Sequence, residues 1–162
     1  MTREVKQMNR FCESRFDVLG DIDWSVWEPP RDSLPAISLG DYQVALSDCP
    51  EGVPADPRLA LPVDHYSVPV LLSFPDAPSL LITAEGPHRD WAVRLMQNAM
   101  LRLLTSLPAG KVRLTIIDPT GLGQNFSAFM HLADFDERLV NNRIWTEAQH
   151  INQRLTDLTE HM

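Results

Sequence analysis

The sequence predicts an α/β fold in which an incomplete parallel sheet with flanking helices, residues 79–162, follows a proline-rich segment of short strands and loops, residues 1–78. Three observations predict this division. Ten of the 13 prolines lie between Pro29 and Pro78, and proline interrupts regular structure. Apolar residues recur at helical spacing over residues 88–107. This helix separates two short apolar runs, which is the order of a right-handed unit with two parallel strands.

The first 78 residues are acidic and irregular. They carry 13 of the 22 acidic residues but 6 of the 14 lysines and arginines. We interpret Trp24 and Trp27 as side chains that attach an extended arm to the domain body, and stacking on a ligand is the alternative. The pattern predicts a short helix within residues 1–20, a strand over 37–46 interrupted at Gly40 and Asp41, a loop over 47–66 and an edge strand over 68–74.

The second half has the regular pattern of alternating strands and helices. Its apolar run over residues 80–84 fits a strand that is buried on both faces. The long helix carries an apolar stripe made of Ala92, Leu95, Met96, Ala99, Met100, Leu103 and Leu107. The remaining predicted elements are a strand over 111–119, a short helix over 126–132, a short strand over 143–145 and a helix over 147–162. Because the apolar stripe of the last helix is still in phase at Met162, we expect a fragment of a longer protein.

Composition argues against several classes of protein. No apolar run approaches the roughly 18 residues of a membrane span, and the first residues carry no apolar signal core, so we expect a cytoplasmic protein without a membrane partner. The acidic first half argues against nucleic-acid binding by that segment, because phosphate binding needs clustered lysine or arginine. Cys12 and Cys49 are the only cysteines. Two reduced thiols fit this compartment, and a disulfide is the alternative.

The turn after the first predicted strand is the place where a nucleotide-binding α/β protein holds phosphate. A phosphate loop there reads G-x-x-x-x-G-K-[ST], in which glycines wrap the phosphates, the lysine neutralises them and the hydroxyl binds Mg²⁺. The corresponding residues here are Ala84, Glu85, Gly86, Pro87, His88, Arg89, Asp90 and Trp91. Both glycines are missing, Asp90 replaces the lysine, Trp91 replaces the hydroxyl residue and Pro87 removes a backbone donor. We therefore expect no ATP at this loop and no cofactor.

A second candidate site follows the predicted strand over residues 111–119. Its residues are Asp118, Gln124, Asn125 and His131. Asp118 could coordinate a metal ion, orient water or cap the turn over Pro119, and turn formation is a frequent role of Asp before Pro. Gly121 and Gly123 lack the third glycine of a dinucleotide fingerprint, so they predict a tight loop. The five histidines show no metal-ligand spacing.

Three stretches of the second half carry a family resemblance: LLITAEG, GKVRLTIIDPTGLGQNFSAFMHLADFDERLV and RIWTEAQHINQRLTDLTEHM. Their most specific parts are IIDP-x-GLGQNF, HLADFDE and IWTE-x-QHI-x-QRL. Residues 80–162 resemble the FtsK/SpoIIIE family of DNA-translocating ATPases, in particular the large FtsK/SpoIIIE-domain proteins related to type VII secretion motors. The resemblance covers half of the chain.

The resemblance implies a partial P-loop-NTPase-like sheet, which is the N-terminal part of a motor domain. In that family the first strand leads into the phosphate loop, and the next strand ends in a DPK-like motif. Asp118 and Pro119 match this motif, with Thr120 in place of lysine. The last helix of such a segment leads toward a second acidic strand that holds the Mg²⁺-activated water, and this sequence ends before such a strand. ATP and Mg²⁺ are therefore expected only if the family activity is retained.

These observations give three functional hypotheses. The first is an incomplete FtsK/SpoIIIE-like module, unable to hydrolyse ATP alone, that is a structural or regulatory part of a DNA-translocation or secretion-type motor. Its partner is another protein or the remainder of a longer ATPase chain, in an oligomer or an intramolecular assembly. The second is a small ligand-binding or enzymatic domain that uses the strand-end crevice near Asp118 and His131. The third is DNA binding through Arg89, Arg94 and Arg102, which are too few for useful affinity alone.

Overall fold

The computed structural model describes residues 2–15, 19–48, 56–59, 64–141 and 143–160. The chain divides into two compact units, one made of Met1–Pro29 with Ser33–Leu81 and the other of Pro30–Asp32 with Ile82–Met162. The helices and strands are, in chain order, α1 (Thr2–Arg15), β1 (Ala36–Ala45), β2 (His65–Ser73), α2 (Arg89–Ser106), β3 (Ile116–Ile117), β4 (Ile144–Trp145) and α3 (Ala148–Glu160). Short 3-10 helices connect them, and an unusually long one spans Gln124–Asp134.

The first unit is built on an antiparallel pair of strands, β1 and β2. The register shifts between Ser38 and Gly40, where Gly40 has a φ of +133° that favours glycine. The strand predicted over residues 37–46 and its interruption at Gly40 are therefore confirmed. β2 begins at His65, three residues before the predicted start, and it tolerates Pro69 because each strand of a two-stranded sheet is an edge strand.

The core of the first unit is small and lies around the two strands and α1. Its buried side chains are Cys12, Ile37, Leu39, Tyr66 and Leu72. The predicted N-terminal helix is confirmed as α1, whose Asn9 Nδ2 donates to the Ser67 carbonyl oxygen of β2 at 3.0 Å. Cys12 is a free thiol, and its burial, followed by the charge of Asp41, raises its pKa. Cys49 lies outside the described residues.

The two tryptophans of the arm differ in exposure. Trp24 is 51% exposed, so its indole is not held inside a core, while Trp27 is half-buried. The two indole rings contact each other, with centroids 5.8 Å apart and an interplanar angle of 53°. The interpretation that both side chains attach the arm to the body stays a prediction, because the ring contact described for each indole is with the other, three residues away along the chain.

The second unit has a core formed by Leu114, Ile116, Phe126 and Val140. The predicted helix over residues 88–107 is confirmed as α2, which packs against this core through Val93, Met100 and Leu104. The predicted stripe shared Met100 with the observed contact face but placed Met96, which is 44% exposed, toward the core. A helix whose apolar residues cover more than one face leaves its rotation undetermined by spacing alone.

The parallel pairing in the second unit joins β3 to β4, with Ile116 opposite Ile144 and Ile117 opposite Trp145. The short strand predicted over residues 143–145 is thus confirmed. The strand predicted over 111–119 is reduced to two residues, because β4 supplies two residues for pairing, although the Leu114 amide still donates to the Leu139 carbonyl oxygen at 2.6 Å.

The predicted buried strand over residues 80–84 is wrong. These residues are not in a strand, Leu80 is 44% exposed and Leu81 is 90% exposed. A β-strand exists by pairing, and this apolar run pairs with none of the described strands. The strand–helix–strand unit expected around α2 is consequently absent from the described part of the chain.

The described residues combine helices with two small sheets in a mixed, generally α/β arrangement. The predicted helix over 126–132 is present as the 3-10 helix Gln124–Asp134, and the predicted last helix as α3. Met162 and His161 lie outside the described residues. None of the described helices combines the length and the apolar character that crossing a membrane requires.

Candidate functional site

Asp118 is the one buried polar or charged residue among those that the structure describes, with 5% of its surface exposed. It follows β3 directly, and its amide donates to the Trp145 carbonyl oxygen of β4 at 2.9 Å. Buried carboxylates need hydrogen-bond partners, because an uncompensated buried charge is expensive. The hydrogen-bond partners of this carboxylate therefore show whether Asp118 stabilises a turn or is available to a ligand.

The Asp118 carboxylate holds the loop that follows it. Its Oδ1 accepts a hydrogen bond from the Gly121 amide at 2.8 Å and from Asn125 Nδ2 at 3.2 Å. The Asp118 carbonyl oxygen accepts from the Gly123 amide at 3.2 Å. These contacts are those of a carboxylate that caps a turn over Pro119, which is one of the roles expected from the sequence.

The second carboxylate oxygen of Asp118 has a different environment. Oδ2 is inaccessible to solvent and makes no hydrogen bond with any described residue. It lies close to the Gly121 backbone, since a Cβ built on Gly121 would be 2.5 Å from Oδ2 and 2.1 Å from Asn125 Nδ2. The space beside Oδ2 is therefore filled by the loop itself.

The backbone of this loop requires its glycines for two different reasons. Gly121 is needed for close approach, since any side chain there would overlap Asp118 and Asn125. Gly123 has a φ of +84°, in the left-handed region, and it caps the 3-10 helix Gln124–Asp134. Leu122 lies between them with a φ of +50° and is 73% exposed. The tight loop predicted from the two glycines is confirmed.

Two further contacts attach the loop to the rest of the second unit. Gln97 of α2 donates from Nε2 to the Asn125 carbonyl oxygen at 2.5 Å. Phe126, the next residue, is 5% exposed and belongs to the hydrophobic core. The loop between Asp118 and Phe126 is thus fixed by a carboxylate on one side, an amide from α2 on another and an aromatic anchor at its end.

The four residues of the predicted strand-end site do not share one environment. Asp118 and Asn125 are hydrogen-bonded to each other. Gln124 is exposed, and the His131 side chain is 84% exposed, where its Nδ1 lies 3.3 Å from Asp134 Oδ2. Among the described residues, no group of three or more His, Cys, Asp or Glu side chains could hold a metal ion. The structure therefore brings together two of these four residues in a turn-stabilising pair.

The predicted nucleotide-loop position is the exposed N-terminal end of α2. Gly86–His88 form a 3-10 turn in which Gly86 has a φ of +54°, and the His88 amide donates to the Glu85 carbonyl oxygen at 3.2 Å. Ala84 is half-buried, and residues 85–91 are all exposed. The exposed fraction of Trp91 is 63%. Glu85 and Asp90 bring two carboxylates to the N-terminal end of the helix. They interact favourably with the helix dipole there, and they repel an approaching anion such as a nucleotide phosphate.

The arginines considered for DNA binding have different exposures. Arg89 and Arg94 are exposed, whereas Arg102 is half-buried and its pKa is lowered by burial. Arg94 and Arg102 stand eight residues apart on α2. The surface of α2 therefore has few fully exposed arginine side chains close together. Phosphate binding depends on several such cations that act together.

Gln97 and Trp145 were not among the residues singled out from the sequence. Trp145 is half-buried, and the Arg143 guanidinium lies 5.1 Å from the centroid of its ring. Gln97 lies between Val93 and Met100 on the face of α2 that packs against the core, a face that spacing alone does not single out. A lone polar residue inside an apolar stripe indicates a hydrogen bond to a neighbouring element.

Comparisons with protein-family models, with curated proteins and with solved structures gave no match.

Proposed function

We propose that residues 79–162 form an incomplete FtsK/SpoIIIE-like, P-loop-NTPase-like module that does not hydrolyse ATP by itself. It acts as a structural or regulatory part of a DNA-translocation or secretion-type motor. The observation that carries the proposal is the chemistry of the N-terminal end of α2, where Glu85 and Asp90 are exposed and no lysine or hydroxyl residue stands at the phosphate-loop position. A triphosphate needs cations and free amides there.

The incomplete sheet of the second unit supports a role that depends on a partner. A parallel sheet is normally buried on both faces and contains more than two strands. Here the described sheet has two short parallel strands, and the apolar residues Met96, Leu101 and Leu155 of the same unit are exposed. The proposal assigns the completion of this sheet to another protein or to the remainder of a longer ATPase chain.

The alternative of a small ligand-binding or enzymatic domain has less support. It requires Asp118 and His131 to face one crevice, whereas His131 pairs with Asp134 on the surface and Asp118 Oδ1 is occupied by its own loop. DNA binding through the arginines of α2 remains a separate property. A salt-dependent affinity for duplex DNA that Arg89→Ala and Arg94→Ala reduce together would establish it.

The first test of the proposal is a thermal melt of the full chain with and without millimolar Mg-ATP. We expect the midpoint temperature to change by less than about 1 °C. A ligand present at roughly 100 times its dissociation constant adds about 2.7 kcal/mol to the stability of the native state, which corresponds to several degrees. An intact P-loop ATPase melted in parallel serves as the control. A reproducible rise of several degrees would contradict a nucleotide-free module.

The second test addresses the motor itself. Adding the chain to an intact FtsK/SpoIIIE-family ATPase from the same genome should change the rate of ATP hydrolysis by that motor. The variant M96D should lose about nine-tenths of the effect, because a charge at this exposed apolar position of α2 opposes packing of the motor against the second unit. L122D is the matched control, since Leu122 is 73% exposed but lies in the Asp118 loop. Equal behaviour of both variants, or no effect of the unmodified chain, would overturn the proposal.

A further inference from the structure

An exposed aromatic turn lies in the first unit, outside the residues used by the proposed function. Val26 is 75% exposed and Trp24 is 51% exposed, and Trp24 contacts the half-buried ring of Trp27. Large apolar side chains that are exposed side by side are typical of interaction sites. We call residues 21–28 the acidic-aromatic segment.

Local hydrogen bonds stabilise a turn over residues 23–26 of this segment. Asp23 Oδ1 accepts from the Ser25 amide at 3.0 Å and from the Ser25 hydroxyl at 2.7 Å, and the Val26 amide donates to the Asp23 carbonyl oxygen at 3.2 Å. Two exposed apolar side chains, Trp24 and Val26, therefore lie within this hydrogen-bonded turn. A surface that is ordered before binding loses less conformational entropy when a partner binds.

The charges around the indoles select the partner. Asp21, Asp23 and Glu28 are exposed, and the sequence has no lysine or arginine between Arg15 and Arg31. Hydrogen bonds from Ser25 lower the pKa of Asp23, so this carboxylate is charged at neutral pH. The segment consequently repels nucleic-acid phosphates and anionic lipid headgroups, and it attracts cationic groups.

We propose that the acidic-aromatic segment docks an arginine-rich, apolar segment of a partner protein. A guanidinium binds the exposed face of an indole by cation–π attraction, and neighbouring carboxylates bind further guanidinium groups. Apolar side chains of the partner pack on Val26 and on the two rings. Electrostatic complementarity of this kind determines the choice of partner and the rate of association. The inference does not depend on the proposed motor function, because it uses residues of the other unit.

The test uses a short fluorescent peptide of alternating arginine and leucine and measures its anisotropy on titration with the full chain. Peptides in which glutamine or glutamate replaces arginine are the comparisons. We expect saturable binding of the arginine peptide, at least about tenfold tighter than the glutamine peptide and weakened by salt. The variants W24A/W27A and D21N/D23N/E28Q should each weaken binding by about tenfold. Matched controls are W91A, which removes another exposed indole, and D134N/E137Q/E160Q, which removes the same formal charge from the second unit.

A second measurement keeps the test independent of the stability of these variants. The unmodified chain has four tryptophans, so its ¹H–¹⁵N spectrum has four indole signals. Addition of the arginine peptide should shift the signals of Trp24 and Trp27 and leave those of Trp91 and Trp145 in place. The inference is overturned if the glutamine peptide binds equally well, if the control charge variant is as weak as D21N/D23N/E28Q, or if other indole signals shift instead. Binding of anionic vesicles or duplex DNA through this segment would also overturn it.

Discussion

Replacing Phe126 by alanine is expected to destabilise the second unit by about 3 to 5 kcal/mol and to lower its melting temperature by about 12 °C or more. Phe126 is 5% exposed and belongs to the core with Leu114, Ile116 and Val140. Its removal loses the apolar surface that the ring buries and leaves a cavity between the strands and the 3-10 helix. Urea or thermal unfolding of a W24F/W27F background measures the effect, because the remaining tryptophans, Trp91 and Trp145, both lie in the second unit.

The chain contains its own control for this substitution. Phe135 is 88% exposed, nine residues further along, so F135A should change the free energy of unfolding by less than about 0.5 kcal/mol. A loss of equal size in both variants would indicate a general effect of removing a ring. A stable F126A variant would mean that Phe126 does not occupy the core of this unit.

The parts of the fold that could be predicted from the sequence are those that depend on residues close together along the chain. The existence and extent of α2 and of the β1 strand follow from local periodicity, and Gly40 correctly indicated the interruption of β1. The turn-capping role of Asp118 is local as well, because its two Oδ1 partners are three and seven residues away. Interactions of short sequence separation leave a pattern that sequence spacing reveals.

The features that could not be predicted depend on distant partners. The apolar residues 80–84 have the composition of a buried strand, yet strand formation requires a pairing edge that composition does not report. The predicted rotation of α2 is wrong at Met96, because spacing does not choose between the apolar faces of a helix. The face that packs lies against a core whose residues, Leu114, Ile116, Phe126 and Val140, all follow Met96 by more than ten positions. The exposure of Trp24 is a similar case, since hydrophobic character indicates a preference for burial but not the presence of a core that can accept the ring.

The same distinction applies to the candidate site. The sequence predicts one strand-end site, because the same predicted strand is followed by all four of its residues: Asp118, Gln124, Asn125 and His131. The hydrogen bonds separate them into a buried pair, Asp118 with Asn125, and two exposed side chains. The buried pair is part of the architecture of the loop, so disturbing it should affect stability first. Gly121 is the most direct place to disturb it.

Replacing Gly121 by alanine is expected to destabilise the second unit by about 2 to 4 kcal/mol. The added Cβ would be 2.1 Å from Asn125 Nδ2 and 2.5 Å from Asp118 Oδ2, so at least one of these side chains must move. Movement breaks hydrogen bonds to a buried carboxylate, which are among the stronger ones in proteins. Equilibrium unfolding in urea measures the loss.

The control for Gly121 is Gly110 in the same unit. Gly110 has a φ of +78° with nothing within 4 Å of an added Cβ, so G110A should cost about 1 kcal/mol through backbone strain alone. Gly121 has no such φ, and its loss arises from overlap with its neighbours. A double-mutant cycle separates the two causes: in an N125A background the atom nearest to the new Cβ is gone, so G121A should destabilise less than in the unmodified chain. If G121A costs the same in both backgrounds, or no more than G110A, the Asp118–Asn125 pair does not fill the space beside Gly121. That space would then be open to a ligand, and the hypothesis of a ligand-binding site near Asp118 would gain support.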